Sequence, residues 1–254
     1  MKNNRHFIIV GGQRCGSTLL YKFLTLQPDI QMIEPVKPEP KFFLNKNVSY
    51  GDYTKLFNNR SQGSLIGEKS TSYYEDELVP QRISSLIPTC KIIFILRNPI
   101  DRAISNYNFS VQNGLENRTL SEVFLQDKPK PKTSLKHISV DPFDYIGRGL
   151  YYNFIENYKR FFPASQISVI TLESFISKKE TRDDIINFLG VSPMPKDICF
   201  SPDVKVNGAF SLSKEDINLP LIRHTLADIY RDSVKKLEGL IDVKVWEDFR
   251  GKLN

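Results

Sequence analysis

Residues 7–26 read FIIVGGQRCGSTLLYKFLTL. The apolar run Phe7–Gly11 has the length and composition of a short buried strand. Gly12, Gln13, Arg14, Cys15 and Gly16 make a glycine-bearing loop. Ser17 and Thr18 then open a helix, because Leu19, Leu20, Phe23 and Leu24 recur at helical spacing. A strand, a tight loop and a helix N-terminus in that order form an anion site, where free backbone N–H groups and the positive end of the helix dipole converge. An ordinary glycine turn would look the same in isolation, so a second motif has to decide.

Gly11 and Gly16 have the separation of the triphosphate-binding pattern G-x-x-x-x-G-K-[ST], but Ser17 stands where its lysine belongs. The most apolar strand, Ile92–Leu96, runs into Arg97 and not into a magnesium-holding carboxylate. A cation at that strand end suits a nucleotide with a further phosphate and no obligatory metal.

The 254 residues suit one α/β domain spanning 1–254, with ample core for independent stability. A net charge of +6 favours anionic ligands without demanding nucleic acid. The three cysteines (Cys15, Cys90, Cys199) are odd in number and far apart, which suggests neither a disulfide framework nor a zinc cluster. His6, His137 and His224 are equally scattered. No secretory signal or membrane span precedes the first strand and none occurs later, so a cytoplasmic chain without a membrane partner is expected.

Proline at position 28 ends the first helix, and Ile30–Ile33 reads as a second short strand. Three prolines among the ten residues Glu34–Phe43 then forbid helix and hold the backbone extended. That segment is either a solvated connector, which its composition favours, or a stiff loop that presents Glu39 beside the phosphate site, anchored by Phe42 and Phe43. Tyr50–Asn58 and Val79–Leu86 read as helices, and Leu65–Glu68 and Lys91–Leu96 as strands. Lys69-Ser70-Thr71-Ser72 falls at a strand end, where open α/β sheets place ligands. Asn98 and Pro99 are a good N-cap and first residue for the next helix, on which Ser105 lies two turns beyond Arg97. Residues 127–149 lack periodicity and read as an acceptor-side lid or a long surface loop. Helices follow over Leu150–Phe162, Asp183–Leu189 and Leu219–Leu240, with a strand over Ile167–Leu172, Gly190 as a C-cap and Trp246 sealing the last helix. Alternating strands and helices predict a parallel sheet of about five strands with helices on both faces, a P-loop-like three-layer sandwich.

These motifs resemble those of the sulfotransferases that use 3′-phosphoadenosine 5′-phosphosulfate (PAPS), in particular the branch with the heparan sulfate enzymes and their bacterial relatives. Gln13-Arg14-Cys15-Gly16-Ser17-Thr18 is similar to the family's 5′-phosphosulfate loop. Arg97-Asn98-Pro99 with Arg102, Ala103, Ser105 and Tyr107 resembles its 3′-phosphate motif. Glu39-Pro40-Lys41-Phe42-Phe43 resembles the segment with the catalytic glutamate, and Gly67-Glu68-Lys69-Ser70 the segment with an active-site lysine. Gly149-Leu150-Tyr151 and Tyr230–Trp246 also follow the pattern, so the resemblance runs from about Phe7 to Trp246. The chain departs from it at Arg14, where many relatives have lysine and bacterial members often have arginine. It departs again at Pro38, where lysine is expected, and at Lys41, where some relatives have histidine.

The resemblance implies in-line sulfuryl transfer from PAPS to a hydroxyl or amine, with Glu39 as general base and Arg14 and Lys69 stabilising charge. The donor and its product, adenosine 3′,5′-bisphosphate, would be held by Gln13, Arg14, Cys15, Gly16, Ser17, Thr18, Arg97, Ser105 and Tyr151. Lys205, Asn207 and Gly208 would form the covering loop, and no metal would be needed. Lys41, Phe43, Lys69 and Tyr73 would face the acceptor, expected to be a small molecule in preference to a saccharide. A P-loop nucleotide kinase shares the expected fold but wants the missing lysine and carboxylate. A non-catalytic polysaccharide-binding module would explain the charge, yet not a glutamate on a proline-stiffened loop.

Overall fold

In a computed structural model of the chain, β1 (His6–Gly11) is the middle strand of a parallel sheet. The other strands are β2 (Ile30–Met32), β3 (Leu65–Lys69), β4 (Lys91–Leu96) and β5 (Ile167–Thr171), in the order β2-β3-β1-β4-β5. The structure describes residues 5–57, 65–126, 129, 141–193, 195, 200, 217–241, 245, 246 and 249. They fall into two units, each drawn from two stretches of chain. Met1–Leu96 with Phe154–Val206 forms one, and Arg97–Asn153 with Asn207–Asn254 the other.

The first unit contains the whole sheet. Chain order runs from β1 to one side for β2 and β3, then to the other for β4 and β5, so the direction of winding switches at the carboxyl end of β1. Strands β1 and β4 are buried along nearly their whole length, which explains their uninterrupted apolar runs. Phe7, Ile9, Ile93 and Ile95 pack with Leu20, Phe23 and Leu24 of α1 (Ser17–Thr25). Phe175 of α7 (Leu172–Ser177) and Ile185, Ile186 and Leu189 of α8 (Lys179–Leu189) complete that core. From the other face, Phe94 meets Tyr158 of α6 (Tyr151–Lys159), ring centroids 5.0 Å apart. Gly67 lets β1, β2 and β3 close up: a Cβ there would lie 2.3 Å from Phe7 Cζ and 2.4 Å from Met32 Sδ.

Helices α2 (Tyr50–Thr54) and α3 (Val79–Leu86) belong to this unit, and α4 (Pro99–Gln112), α5 (Leu120–Phe124) and α9 (Leu219–Ile241) to the second. Asn98 caps α4 as expected, its Oδ1 accepting from Ile100 N at 3.0 Å. Gly190, at φ 69°, is the left-handed C-cap of α8. Several boundaries differ from expectation: α8 begins at Lys179 and not at Asp183, α2 ends at Thr54, and α6 runs from Tyr151 to Lys159. The fifth strand stops at Thr171 because that side chain caps α7, accepting from Ser174 N at 3.2 Å, so Leu172 is helical. Helix α5 was not expected, although Thr119 and Glu122 give it a complete capping box. Among the described residues no helix is long and apolar enough to cross a membrane.

Candidate active site

The loop after β1 is tied to the sheet where it begins. Gly12 N–H donates to Ile95 O of β4 at 2.7 Å, and the Gly11–Gly12 peptide is cis. Arg14 (φ 65°) and Gly16 (φ 87°) both lie in the left-handed region and turn the chain into α1. Gly16 suits that turn, whereas Arg14 adopts a backbone that side chains disfavour, a strain found most often at ligand sites. Cys15 is buried, its thiol donating to Gln13 O at 3.6 Å, and Ser17 is buried beside it. Gln13, Arg14, Gly16 and Thr18 are half-buried. Helix α1 begins without a side-chain cap and without an acidic residue in its first turn. Its first N–H groups have no intrahelical acceptor, so the donor set of loop and helix end fits a phosphate- or sulfate-bearing ligand.

Strand β3 ends next to this loop. Ile9 and Lys69 are register partners, and Ser70 N–H donates to Ile9 O at 3.1 Å. The proline-rich segment brings Glu39 to this strand end, against the connector reading that its composition favours. Lys69 Nζ donates to Glu39 Oε1 in an ion pair. Thr71 donates twice more, from its N–H to Oε2 at 2.9 Å and from its hydroxyl to Oε1 at 3.0 Å. The Lys69 side chain is 2% exposed and that of Glu39 15%, so the carboxylate is clasped from the protein side and open on one flank. Lys41, half-buried at φ 51°, leads into a short turn of helix over Phe42–Leu44.

Phe43 and Tyr73, expected to face the acceptor, lie in the interior beneath the Glu39 loop. Both are fully buried, and Phe43 N–H donates to the Tyr73 hydroxyl at 3.0 Å. They brace the Glu39 loop from beneath.

Sequence reasoning missed what lies under this brace. Glu68 is fully buried and accepts three hydroxyls: Tyr73 at 2.5 Å, Ser70 at 2.8 Å and Tyr53 at 3.0 Å. Burial pushes its carboxyl up to about 6; the three hydrogen bonds work against that rise and the charge of Glu39 adds to it. Burial and the Glu68 charge push the Tyr53 and Tyr73 hydroxyls well up. A carboxylate inside a five-residue strand with no exposed position was the available signal, since such groups are buried only when paired or hydrogen-bonded. Thr71 was also missed as a Glu39 partner.

In the second unit, Arg97 and Ser105 are half-buried. The buried Tyr151 donates its hydroxyl to Arg97 O at 2.9 Å, and its ring lies 6.1 Å from that of Trp246. Arg102 is fully buried and donates to Tyr145 O and, at 3.3 Å, to Asn106 Oδ1, so it fastens the segment before α6. Gly149 lies under the Tyr230 ring, where a Cβ would come within 2.7 Å. Lys205, Asn207 and Gly208 lie outside the described residues.

The family model described as the sulfotransferase domain matches residues 4–199. The chain belongs to the sulfotransferase family. The chain is 30% identical over 201 residues to bifunctional heparan sulfate N-deacetylase/N-sulfotransferase 2 of Bos taurus, covering 74% of this chain and 22% of that protein. It is 29% identical over 177 residues to heparan sulfate glucosamine 3-O-sulfotransferase 6 of Mus musculus, covering 67% and 47%. The chain thus spans about a fifth of the first relative and less than half of the second. A crystal structure of a sulfotransferase from Alicyclobacillus acidocaldarius is similar with a TM-score of 0.74 and 25% identity over 98% of this chain and 100% of that one. The expected family and the expected parallel α/β architecture are those found.

Proposed function

We propose that the chain transfers a sulfuryl group from PAPS to a hydroxyl or amine of an acceptor, with Glu39 as general base. The observation that carries this reading is the Glu39 carboxylate, fixed by Lys69 and Thr71 yet open on one flank, at the strand end beside the β1 loop. A carboxylate offers about four acceptor positions. Lys69, the Thr71 N–H and the Thr71 hydroxyl use three, which leaves room for an acceptor O–H.

In the step, the acceptor's oxygen or nitrogen forms a bond to sulfur and the bond from sulfur to the nucleotide phosphate breaks. The acceptor's proton passes to Glu39. Lys69 keeps the base oriented, and the loop N–H groups with Arg14 offset charge on the departing phosphate without a metal. Gln13–Thr18 hold the 5′-phosphosulfate in this reading. Arg97 and Ser105 hold the 3′-phosphate, with Tyr151 behind Arg97, and Lys205, Asn207 and Gly208 cover the nucleotide. Lys41 faces the acceptor. A saccharide acceptor is a second reading beside the small molecule, favoured because both relatives are named for heparan sulfate.

Glu39→Gln keeps the shape and removes the base. Stabilisation by adenosine 3′,5′-bisphosphate in a magnesium-free thermal-shift assay should survive it. Turnover, measured by mass detection over a panel of hydroxyl and amine acceptors, should drop roughly 10²–10⁴-fold. Glu34→Gln, at an exposed position of the same segment, should leave turnover unchanged. Wild-type turnover in Glu39→Gln would remove Glu39 from the reaction, and stronger stabilisation by ATP with Mg²⁺ than by the bisphosphate would favour a kinase.

A further inference from the structure

Two backbone N–H groups of the loop that carries Glu39 end on hydroxyls. Lys41 N–H donates to Ser70 Oγ at 3.0 Å, and Phe43 N–H donates to the Tyr73 hydroxyl at 3.0 Å. A hydroxyl has one hydrogen, and both hydroxyls give theirs to the same oxygen, Glu68 Oε1, at 2.8 and 2.5 Å. Their lone pairs are therefore the only groups they can turn toward the loop. We propose that Glu68 is the positioning residue for Glu39: by drawing in the Ser70 and Tyr73 hydrogens, its carboxylate orients both hydroxyls to clasp Lys41 and Phe43, one on each side of Phe42. The role assigned to Glu39 rests on the sulfotransferase reading above; the clasp itself does not.

The direction of every bond in the clasp depends on the charge of Glu68. A proton on Oε1 must be donated to an oxygen that already accepts a loop N–H, turning that hydroxyl's own hydrogen away. A proton on Oε2 reverses the bond from Tyr53 instead. Either way a buried bond is lost, with the full cost of an unsatisfied group. Several groups face this carboxylate. Tyr53 comes from α2, Tyr73 and Ser70 from the segment after β3, Cys90 from the turn before β4, Tyr158 from α6 and Glu39 from the loop. His6 of β1 stands against the Tyr53 ring at 5.7 Å, and Lys69 is turned to Glu39. The three hydrogen bonds to Glu68 all come from hydroxyls, and its carboxyl, raised by burial to about 6, titrates within a range the folded protein can be studied in.

The test follows the ¹H–¹⁵N amide signals of Lys41, Phe43 and Thr71 from pH 5 to pH 8 in the nucleotide-free protein, with hydrogen exchange at pH 7. Lys41 and Phe43 should titrate together near the Glu68 midpoint. Tyr73→Phe should abolish the Phe43 response and spare that of Lys41, and Ser70→Ala should do the reverse. Glu68→Gln should flatten both and speed exchange of both amides roughly fivefold, the worth of one hydrogen bond. The Thr71 amide, which donates to Glu39, should lose protection in the same variant. Flat amides in the wild type, or unchanged Thr71 protection in Glu68→Gln, would overturn the proposal. If Glu68→Gln does not fold, the two single-hydroxyl variants decide through their opposite patterns. None of these readouts needs donor or acceptor, so the sulfotransferase reading stands or falls separately, on bisphosphate binding.

Discussion

Removing the Lys69 ammonium leaves Glu39 without its counter-ion, and removing the Glu39 charge leaves Lys69 buried and alone. The Lys69 side chain is 2% exposed, so Glu39→Gln strands a cation in the protein interior. Breaking a buried pair from one side costs about 3–5 kcal/mol, and the 15% exposure of Glu39 pulls the cost of Lys69→Met to the lower end, about 2–4 kcal/mol. For a chain of this size each kcal/mol lowers the melting temperature by roughly 2–4 °C, so each single variant should melt roughly 5–15 °C below the wild type. The double variant tells more. Its Lys69→Met change fills the lysine channel with an apolar chain of similar length, and its Glu39→Gln change keeps an amide oxygen for Thr71. The two losses should therefore fall short of additivity by about 1–3 kcal/mol. Calorimetric melting of all four proteins completes the cycle. Additivity within about 0.5 kcal/mol would mean that Lys69 and Glu39 do not depend on each other, and the clasp argued for the base would fail.

Gly67→Ala places a Cβ against Phe7 and Met32 and should destabilise by about 1–3 kcal/mol through overpacking, seen as a lower melting temperature. Arg97→Ala should weaken adenosine 3′,5′-bisphosphate by about 1.5–3 kcal/mol in calorimetric titration, the worth of a charged hydrogen bond, and leave a nucleotide without the 3′-phosphate unaffected; equal losses would make Arg97 structural. The Glu68 carboxyl rises from 4.5 unfolded to about 6 folded, so between these pH values the folded chain holds a proton that the unfolded chain has released. Stability should fall as pH rises through that window, by about 2 kcal/mol in all. Glu68→Gln lacks this term, so the stability of the wild type relative to that variant should decline from pH 4 to pH 7; a constant difference would refute it.

The fold was legible wherever one physical signal dominated. The uninterrupted apolar run Ile92–Leu96, entered from Lys91, and the spacing within Val79–Leu86 define their elements to the residue. Strand order was not legible, because strands buried on both faces read alike whatever their neighbours. At Thr171 a side-chain cap outweighs the β-propensity before it, ends β5 one residue early and opens α7, a helix the sequence reading lacked. At the candidate site, Glu39 and Lys69 were legible as residues but not as partners, since they lie thirty positions apart and meet only through the loop. Glu68 carried a signal of its own in its buried strand, yet the motif around it drew attention to the lysine beside it.

The strand order also shapes how the protein is made. β4 pairs with β1 on one side and with β5 on the other, but β5 is encoded more than seventy residues later. At ordinary elongation rates of roughly 5–20 residues per second, β4 therefore waits on the order of 4–15 s for its outer neighbour. During that interval an edge of Ile92, Ile93, Phe94, Ile95 and Leu96 offers unpaired backbone to any passing strand. A nascent chain paused between α4 and α6 is thus the species most exposed to aggregation and to chaperone capture, and slowing translation there should lower the soluble yield without altering the protein that escapes.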